Sequence, residues 1–136
     1  MSDTPVWSEN LRVGNKQIDT HHQKLIALCH EAAVAASTVT RDGREQFHSL
    51  LNELATLVAV HFQHEEALLE RNQCPNLETH KAAHISYQER LADLLFDGSR
   101  GLLDREALHR VAKDYLIKHM LEMDLADSQF LVEAGQ

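Results

Sequence analysis

The chain has 136 residues, of which 43% are hydrophobic and 25% charged, a composition that fits one globular domain with a real core. The formal net charge of −8 argues against binding to nucleic acid or to an anionic membrane, and no apolar run reaches the roughly 18 residues of a membrane span. Two cysteines without a CxxC motif indicate reduced thiols, and residues 1–12 lack the blocks of a signal peptide, so we expect a cytoplasmic protein. Ten histidines are the one compositional feature that points to chemistry.

Residues 1–17 are predicted to form an arm along the outside of the domain, with Trp7 as its only aromatic residue. The first helix is predicted over about 18–37, because one helical face there is almost entirely apolar. His22 lies on that face, whereas His21 lies about 100° round the helix, so only one of the two can point inward easily. A turn is predicted at Arg41-Asp42-Gly43, where Asp-Gly is a typical helix breaker.

The second helix, predicted over about 45–71, carries two metal-binding side chains on its apolar face. His61 and Glu65 are four residues apart and therefore stand one above the other. A neutral imidazole and a carboxylate are both metal ligands, and a charge buried without a partner is very costly. This pair therefore predicts a partner in the core.

The third helix is predicted over about 77–96, beginning after Cys74-Pro75 with Asn76 as its N-cap and ending at Asp97-Gly98. Its apolar face again contains two histidines four residues apart, His80 and His84. We expect both side chains to point into the core beside the second helix.

The fourth helix is predicted over about 105–131, with Asp104 as its cap. His119 lies on its apolar face, but Asp124 lies about 140° away on an ideal helix. Both can reach one centre only if the side chains converge or if a π-bulge, which is common at functional sites, widens the helix.

Four amphipathic helices with short links predict an all-α fold, an up-down-up-down antiparallel four-helix bundle with an N-terminal arm, as one domain over 1–136. Five imidazoles and two carboxylates on the four apolar faces suit two bridged ions better than one octahedral ion. Histidine with carboxylate favours iron, and also zinc, copper or nickel, over calcium and magnesium. The seven predicted ligands are His22, His61, Glu65, His80, His84, His119 and Asp124.

For the other five histidines we expect no ligand role. His64 lies three residues after His61 and is the one expected to support the ligands. The remaining four are His21, His30, His48 and His109.

At this point the sequence resembles the hemerythrin family, in particular the bacterial hemerythrins. The segment 18–25 is similar to the family's first-helix motif, with His22 in the ligand position. The segment 61–66 matches H-F-x-x-E-E, 75–84 resembles P-x-x-x-x-H-x-x-x-H, and 119–124 matches H-x-x-x-x-D. The four motifs occur in order over nearly the whole chain.

The resemblance implies a non-haem di-iron centre with an oxo or hydroxo bridge. One iron would be held by His80, His84 and His119, and the other by His22 and His61 with an open position. Glu65 and Asp124 would bridge the two irons. O2 would bind reversibly at the open iron, for carriage, storage or sensing rather than enzymatic turnover.

The resemblance also places Leu116 and Met120 over the open iron, with Tyr115 where the family often has Trp. The alternative function is a di-iron enzyme with peroxidase-like, oxidase or nitric-oxide-handling activity. Iron storage is disfavoured, because ferritin-like sites use Glu-x-x-His motifs and none lies on the four apolar faces. A sensor would need a separate protein partner.

Overall fold

The computed structural model describes residues 7–37, 40–100 and 105–132. After a 3-10 turn at Glu9–Leu11, three α-helices follow: α1 (Lys16–Ala36), α2 (Arg41–Arg71) and α3 (Leu77–Ser99). The fourth helix, 105–124, is α-helical over Arg105–Arg110 and π-helical over Val111–Ile117 and Met120–Asp124. A further 3-10 turn, Ser128–Phe130, follows it, and no strand occurs among the residues described.

The helices pack as an all-α, antiparallel four-helix bundle, as predicted. Neighbours along the chain pack together, and the fourth helix contacts both α1 and α3. The apolar core has two parts, and we call the one that includes Leu25, Phe62 and Tyr87 the larger cluster. The smaller cluster consists of Val13, Ile18, Leu68, Leu69, Cys74 and Leu131.

The two clusters show that α1 and α2 run in opposite directions. The smaller cluster takes residues from the beginning of α1 and the end of α2, whereas the larger cluster takes the end of α1 and the beginning of α2. His22 on α1, Glu65 on α2, and His80 and His84 on α3 lie between residues of the two clusters. The candidate site is therefore enclosed at both ends by apolar side chains.

Two predicted helix ends are wrong. Arg41-Asp42-Gly43 is not a turn but the first turn of α2, because the side chain of Thr40 caps it by accepting a hydrogen bond from the Gly43 N–H at 3.0 Å. Similarly, α3 continues through Asp97-Gly98 to Ser99. Gly98 lies close to another side chain, since a Cβ atom there would lie 3.0 Å from Nδ1 of His48.

The fourth helix also differs from its prediction, because it ends at Asp124 and gives way to a turn and a 3-10 segment instead of running to Leu131. The predicted cap Asp104 lies outside the described residues. In the arm, Trp7 is half-buried against the larger cluster, as expected for a packing residue. Among the described helices, none combines the length and the apolar character needed to cross a membrane.

The cap on α2 can be tested by replacing Thr40. We expect Thr40→Ala to lower the free energy of unfolding by about 1 kcal/mol, because the Gly43 N–H loses its acceptor. Thr40→Ser keeps a hydroxyl acceptor and should retain most of the free energy of unfolding. Urea unfolding of the metal-free protein measures both. Equal stability of Thr40→Ala and wild type would place the effective start of the helix beyond Gly43.

Candidate metal centre

The structure brings all seven predicted ligand residues together at the middle of the bundle. They form two groups, in each of which the potential ligand atoms lie within 4.8 Å of one another. All seven side chains are buried or, for His119, nearly so. We call them the three-histidine group (His80, His84, His119) and the two-histidine group (His22, His61); Glu65 and Asp124 belong to both.

Glu65 lies between the two histidine groups and turns one oxygen to each. Its Oε2 is 2.8 Å from Nε2 of His61 and 3.2 Å from Nε2 of His22. Its Oε1 is 3.1 Å from Nε2 of His84 and 3.5 Å from Nε2 of His80. A carboxylate in this position can bridge two metal ions.

Asp124 has the same arrangement from the opposite side of the bundle. Its Oδ1 is 2.9 Å from Nε2 of His80 and 3.1 Å from Nε2 of His119, and its Oδ2 is 3.1 Å from Nε2 of His22. The widened helix suggested by the sequence is present, since the Leu125 N–H donates to the carbonyl of Met120, five residues back, at 3.0 Å. The π-helical turn therefore lets His119 and Asp124 face one centre.

Two carboxylates outside the seven residues orient the third-helix histidines. Nδ1 of His84 lies 2.7 Å from Oε2 of Glu66, and Nδ1 of His80 lies 3.0 Å from Oδ2 of Asp127. An imidazole that donates from Nδ1 keeps the lone pair of Nε2 free. Both rings therefore direct Nε2 to the interior of the site, where its lone pair becomes available to a metal ion once the Nε2 proton is lost.

His21 was not predicted to support the site, yet it contacts a predicted ligand. Its Nδ1 lies 3.0 Å from Nδ1 of His61, and the two rings are nearly perpendicular. His64, which was expected to support the ligands, makes an edge-on ring contact with His21 at 6.2 Å. Neither residue belongs to the two groups of potential ligands, and the same holds for His30, His48 and His109.

Three more residues that support the site were not predicted from the sequence to do so: Glu66, Asn76 and Asp127. Asn76 makes no cap hydrogen bond with its side chain; its Nδ2 instead donates to Oδ1 of Asp127 at 3.2 Å. Asp127 lies outside every recognised motif, whereas Glu66 is the last residue of the H-F-x-x-E-E segment and could have been found there.

The residues predicted to line an oxygen pocket are only partly described. Leu116 and Met120 are buried and belong to the larger cluster together with Phe62. The side chain of Tyr115 lies outside the part of the structure that is described. Phe62 stacks on His84, with ring centroids 3.7 Å apart, and also lies near His61 and His119.

The metal-free site holds protons tightly. Burial lowers the pKa of His22 and His80, but hydrogen bonds to Asp124 and Glu65 outweigh it and raise the pKa to about 9 and about 11. The pKa of His119 is raised to about 9 against burial, chiefly by the charge of Asp124. Burial raises the pKa of both carboxyls, but the surrounding histidines lower it further, so each is held below its usual range.

The donor set fits a pair of transition-metal ions. Nε2 of His61 and Oδ2 of Asp124 are buried and, among the described residues, make no aligned hydrogen bond, although each lies close to an oppositely polarised atom. Buried polar atoms without hydrogen bonds are rare in proteins and indicate an ion or water in that place. Imidazole and carboxylate together are ligands for iron and its neighbours rather than for calcium or magnesium.

Comparison with known proteins agrees with this reading of the site. Residues 13–126 match the family model described as the hemerythrin HHE cation binding domain. The chain belongs to the hemerythrin family. All seven residues of the two groups lie within the matched segment.

Hemerythrin relatives cover most of the chain. It is 26% identical over 119 residues to myohemerythrin-1 of Phascolopsis gouldii, covering 88% of this chain and 87% of that protein. It is also 26% identical over 123 residues to bacteriohemerythrin of Stenotrophomonas maltophilia (strain R551-3), covering 89% and 77%. A crystal structure of hemerythrin with one leucine replaced by tyrosine has the same fold, with a TM-score of 0.84 at 20% identity, over 96% of this chain and 98% of that one.

The raised histidine pKa values predict an unusual pH dependence for the metal-free protein. His22, His80 and His119 stabilise the fold fully below their unfolded pKa of about 6.5 and lose this contribution as the pH rises through about 9 to 11. The two carboxyls contribute above about pH 4.3 and lose their contribution as the pH falls. Stability should therefore be highest between about pH 4.5 and 6.5.

Urea unfolding midpoints of metal-free protein at pH 6 and pH 9 measure this effect. We expect a lower midpoint at pH 9, and a smaller difference for His80→Gln, which removes the group with the largest upward shift. A midpoint that rises from pH 6 to pH 9 would show that these histidines are neutral in the folded protein.

Proposed function

We propose that this protein binds O2 reversibly at a non-haem di-iron centre, as a cytoplasmic oxygen carrier, store or sensor rather than an enzyme. One observation carries the proposal: Glu65 and Asp124 each direct one oxygen to the three-histidine group and the other to the two-histidine group. Myohemerythrin and bacteriohemerythrin among the relatives support iron and O2 as the ligands.

The unequal number of histidines gives the two metal positions different roles. His80, His84 and His119 would hold one iron, and His22 and His61 the other. With Glu65 and Asp124 shared between them, the first position would have five protein ligands and the second four, so the second would be the one with room for O2. When bound, the iron pair supplies the electrons that reversible O2 binding requires.

The protein contributes orientation and a dry environment. Glu66 and Asp127 hold the rings of His84 and His80 with Nε2 inward. Phe62 covers the site as an apolar lid, because its ring stacks on His84 and lies near rings of both groups. Excluding water in this way blocks side reactions of a bound ligand. The function needs no protein residue as acid or base.

Metal analysis together with visible spectroscopy tests the proposal. We expect two irons per chain after iron-replete expression, and a new absorption band when O2 reaches the reduced protein that disappears when O2 is removed. A single zinc per chain, or no metal, would overturn the di-iron centre. Two irons without an O2 adduct would instead favour a di-iron enzyme with peroxidase-like or nitric-oxide-handling activity.

A matched pair of histidine variants tests the ligand assignment. His84→Ala should lose iron, because it removes a buried Nε2 that faces Glu65 at 3.1 Å. His30→Ala, the same change at an exposed position of α1, should keep both irons. Equal iron content in the two variants would contradict the assignment of His84.

The apolar lining predicts faster oxidation when it is opened. Leu116→Ala should keep both irons and bind O2 but autoxidise faster, because the cavity admits water to the bound ligand. Leu108→Ala is the control, since Leu108 is equally buried, at 2%, on the same helix but eleven residues from His119. Both changes should cost roughly 2–5 kcal/mol of stability. Equal decay of the oxygenated spectra in air would show that Leu116 does not protect the site.

A further inference from the structure

Asp127 is a buried carboxylate whose position is set by two hydrogen bonds. It lies in the turn after the fourth helix and is 3% exposed. Its Oδ2 accepts from Nδ1 of His80 at 3.0 Å, and its Oδ1 accepts from Nδ2 of Asn76 at 3.2 Å. It is one residue beyond the segment 13–126 that matches the family model.

Burying an aspartate costs free energy unless both of its carboxylate oxygens accept hydrogen bonds. A buried carboxylate must be hydrogen-bonded, and here each oxygen accepts from a side-chain N–H. A carboxylate that accepts a hydrogen bond from a ligand histidine fixes the tautomer and the ring orientation, and it makes the other nitrogen a stronger donor to metal. Asp127 can therefore act on a metal through His80 without contacting it.

The two histidine groups differ in these outer hydrogen bonds. In the three-histidine group, His80 and His84 each have a carboxylate at Nδ1. In the two-histidine group, His61 has an imidazole there, that of His21, and Nδ1 of His22 has no hydrogen-bond partner among the described residues. The outer carboxylates thus lie on one side of the site.

We propose that Asp127, held by Asn76, is a positioning residue for His80, and that together with Glu66 it makes the three-histidine position the tighter of the two metal positions and the first to be filled. The inference rests on the proposed di-metal centre, but it does not depend on O2 binding.

Cobalt(II) titration of the metal-free full chain, without air, tests the inference through visible absorption. Wild type should bind two equivalents, the first more tightly than the second. Asp127→Asn should weaken the first equivalent by about 10–100-fold and the second much less, because the amide cannot accept from both His80 and Asn76. Asp93→Asn, the same change at an exposed position of α3, should match wild type.

Two further measurements separate positioning from a general loss of stability. The urea midpoint of metal-free Asp127→Asn should change far less than its cobalt affinity. In proton NMR of the cobalt-loaded protein, the exchangeable resonance of the His80 Nδ1–H should move or disappear, whereas that of His84 should remain. Asn76→Ala should weaken the first equivalent less than Asp127→Asn does, because it removes only the support of Asp127.

The outcomes are distinct. Unchanged affinity and an unchanged His80 resonance in Asp127→Asn would overturn the inference and leave the proposed function intact. Equal weakening of both equivalents, with a matching loss of metal-free stability, would also overturn it and give Asp127 a structural role. Fewer than two cobalt equivalents in wild type would overturn both proposals. Two cobalt equivalents that bind in the expected order, together with an iron protein that forms no O2 adduct, would overturn only the proposal of O2 binding.

Discussion

The rest of the structure depends on the burial of two carboxylates, Glu65 and Asp124, at 0% exposure in the middle of the bundle. Two unpaired anions in such a place would cost more than the whole net stability of a domain of this size. Five imidazoles from four helices surround them instead. Because one residue of slippage turns a helix by about 100°, this arrangement fixes the register of every helix against the others.

The segment after the fourth helix is tied to the site by hydrogen bonds to its backbone. Nδ2 of Asn15 donates to the carbonyl of Leu131 at 2.6 Å, and Nδ2 of Asn72 donates to that of Phe130 at 2.8 Å. Leu131 itself is buried in the smaller cluster. These contacts hold the turn that carries Asp127, so the beginning of α1 and the end of α2 both contribute to the placement of a residue that touches His80.

The periodicity of the sequence predicted four helices and seven residues at one centre. This was possible because the spacing of apolar residues indicates both that a segment is helical and which of its faces is buried. Helix ends were less predictable: at the start of α2, the side-chain cap from Thr40 outweighs the breaker tendency of Asp42-Gly43. His21 and Asp127 were missed for another reason. Each acts by a contact between helices or from a turn, at spacings that no single-helix pattern contains.

The difference in histidine number between the two groups follows from which helices supply them. The hairpin of α1 and α2 supplies His22, His61 and Glu65, and the hairpin of α3 and the fourth helix supplies the other four residues. Glu65 reaches across to the histidines of the second hairpin, and Asp124 reaches back to the first. The π-helical turn places both His119 and Asp124 at the three-histidine group. The fourth helix therefore gives the two-histidine group a carboxylate oxygen of Asp124 but no imidazole. The smaller number of imidazoles in the two-histidine group is therefore a consequence of the backbone geometry of the fourth helix.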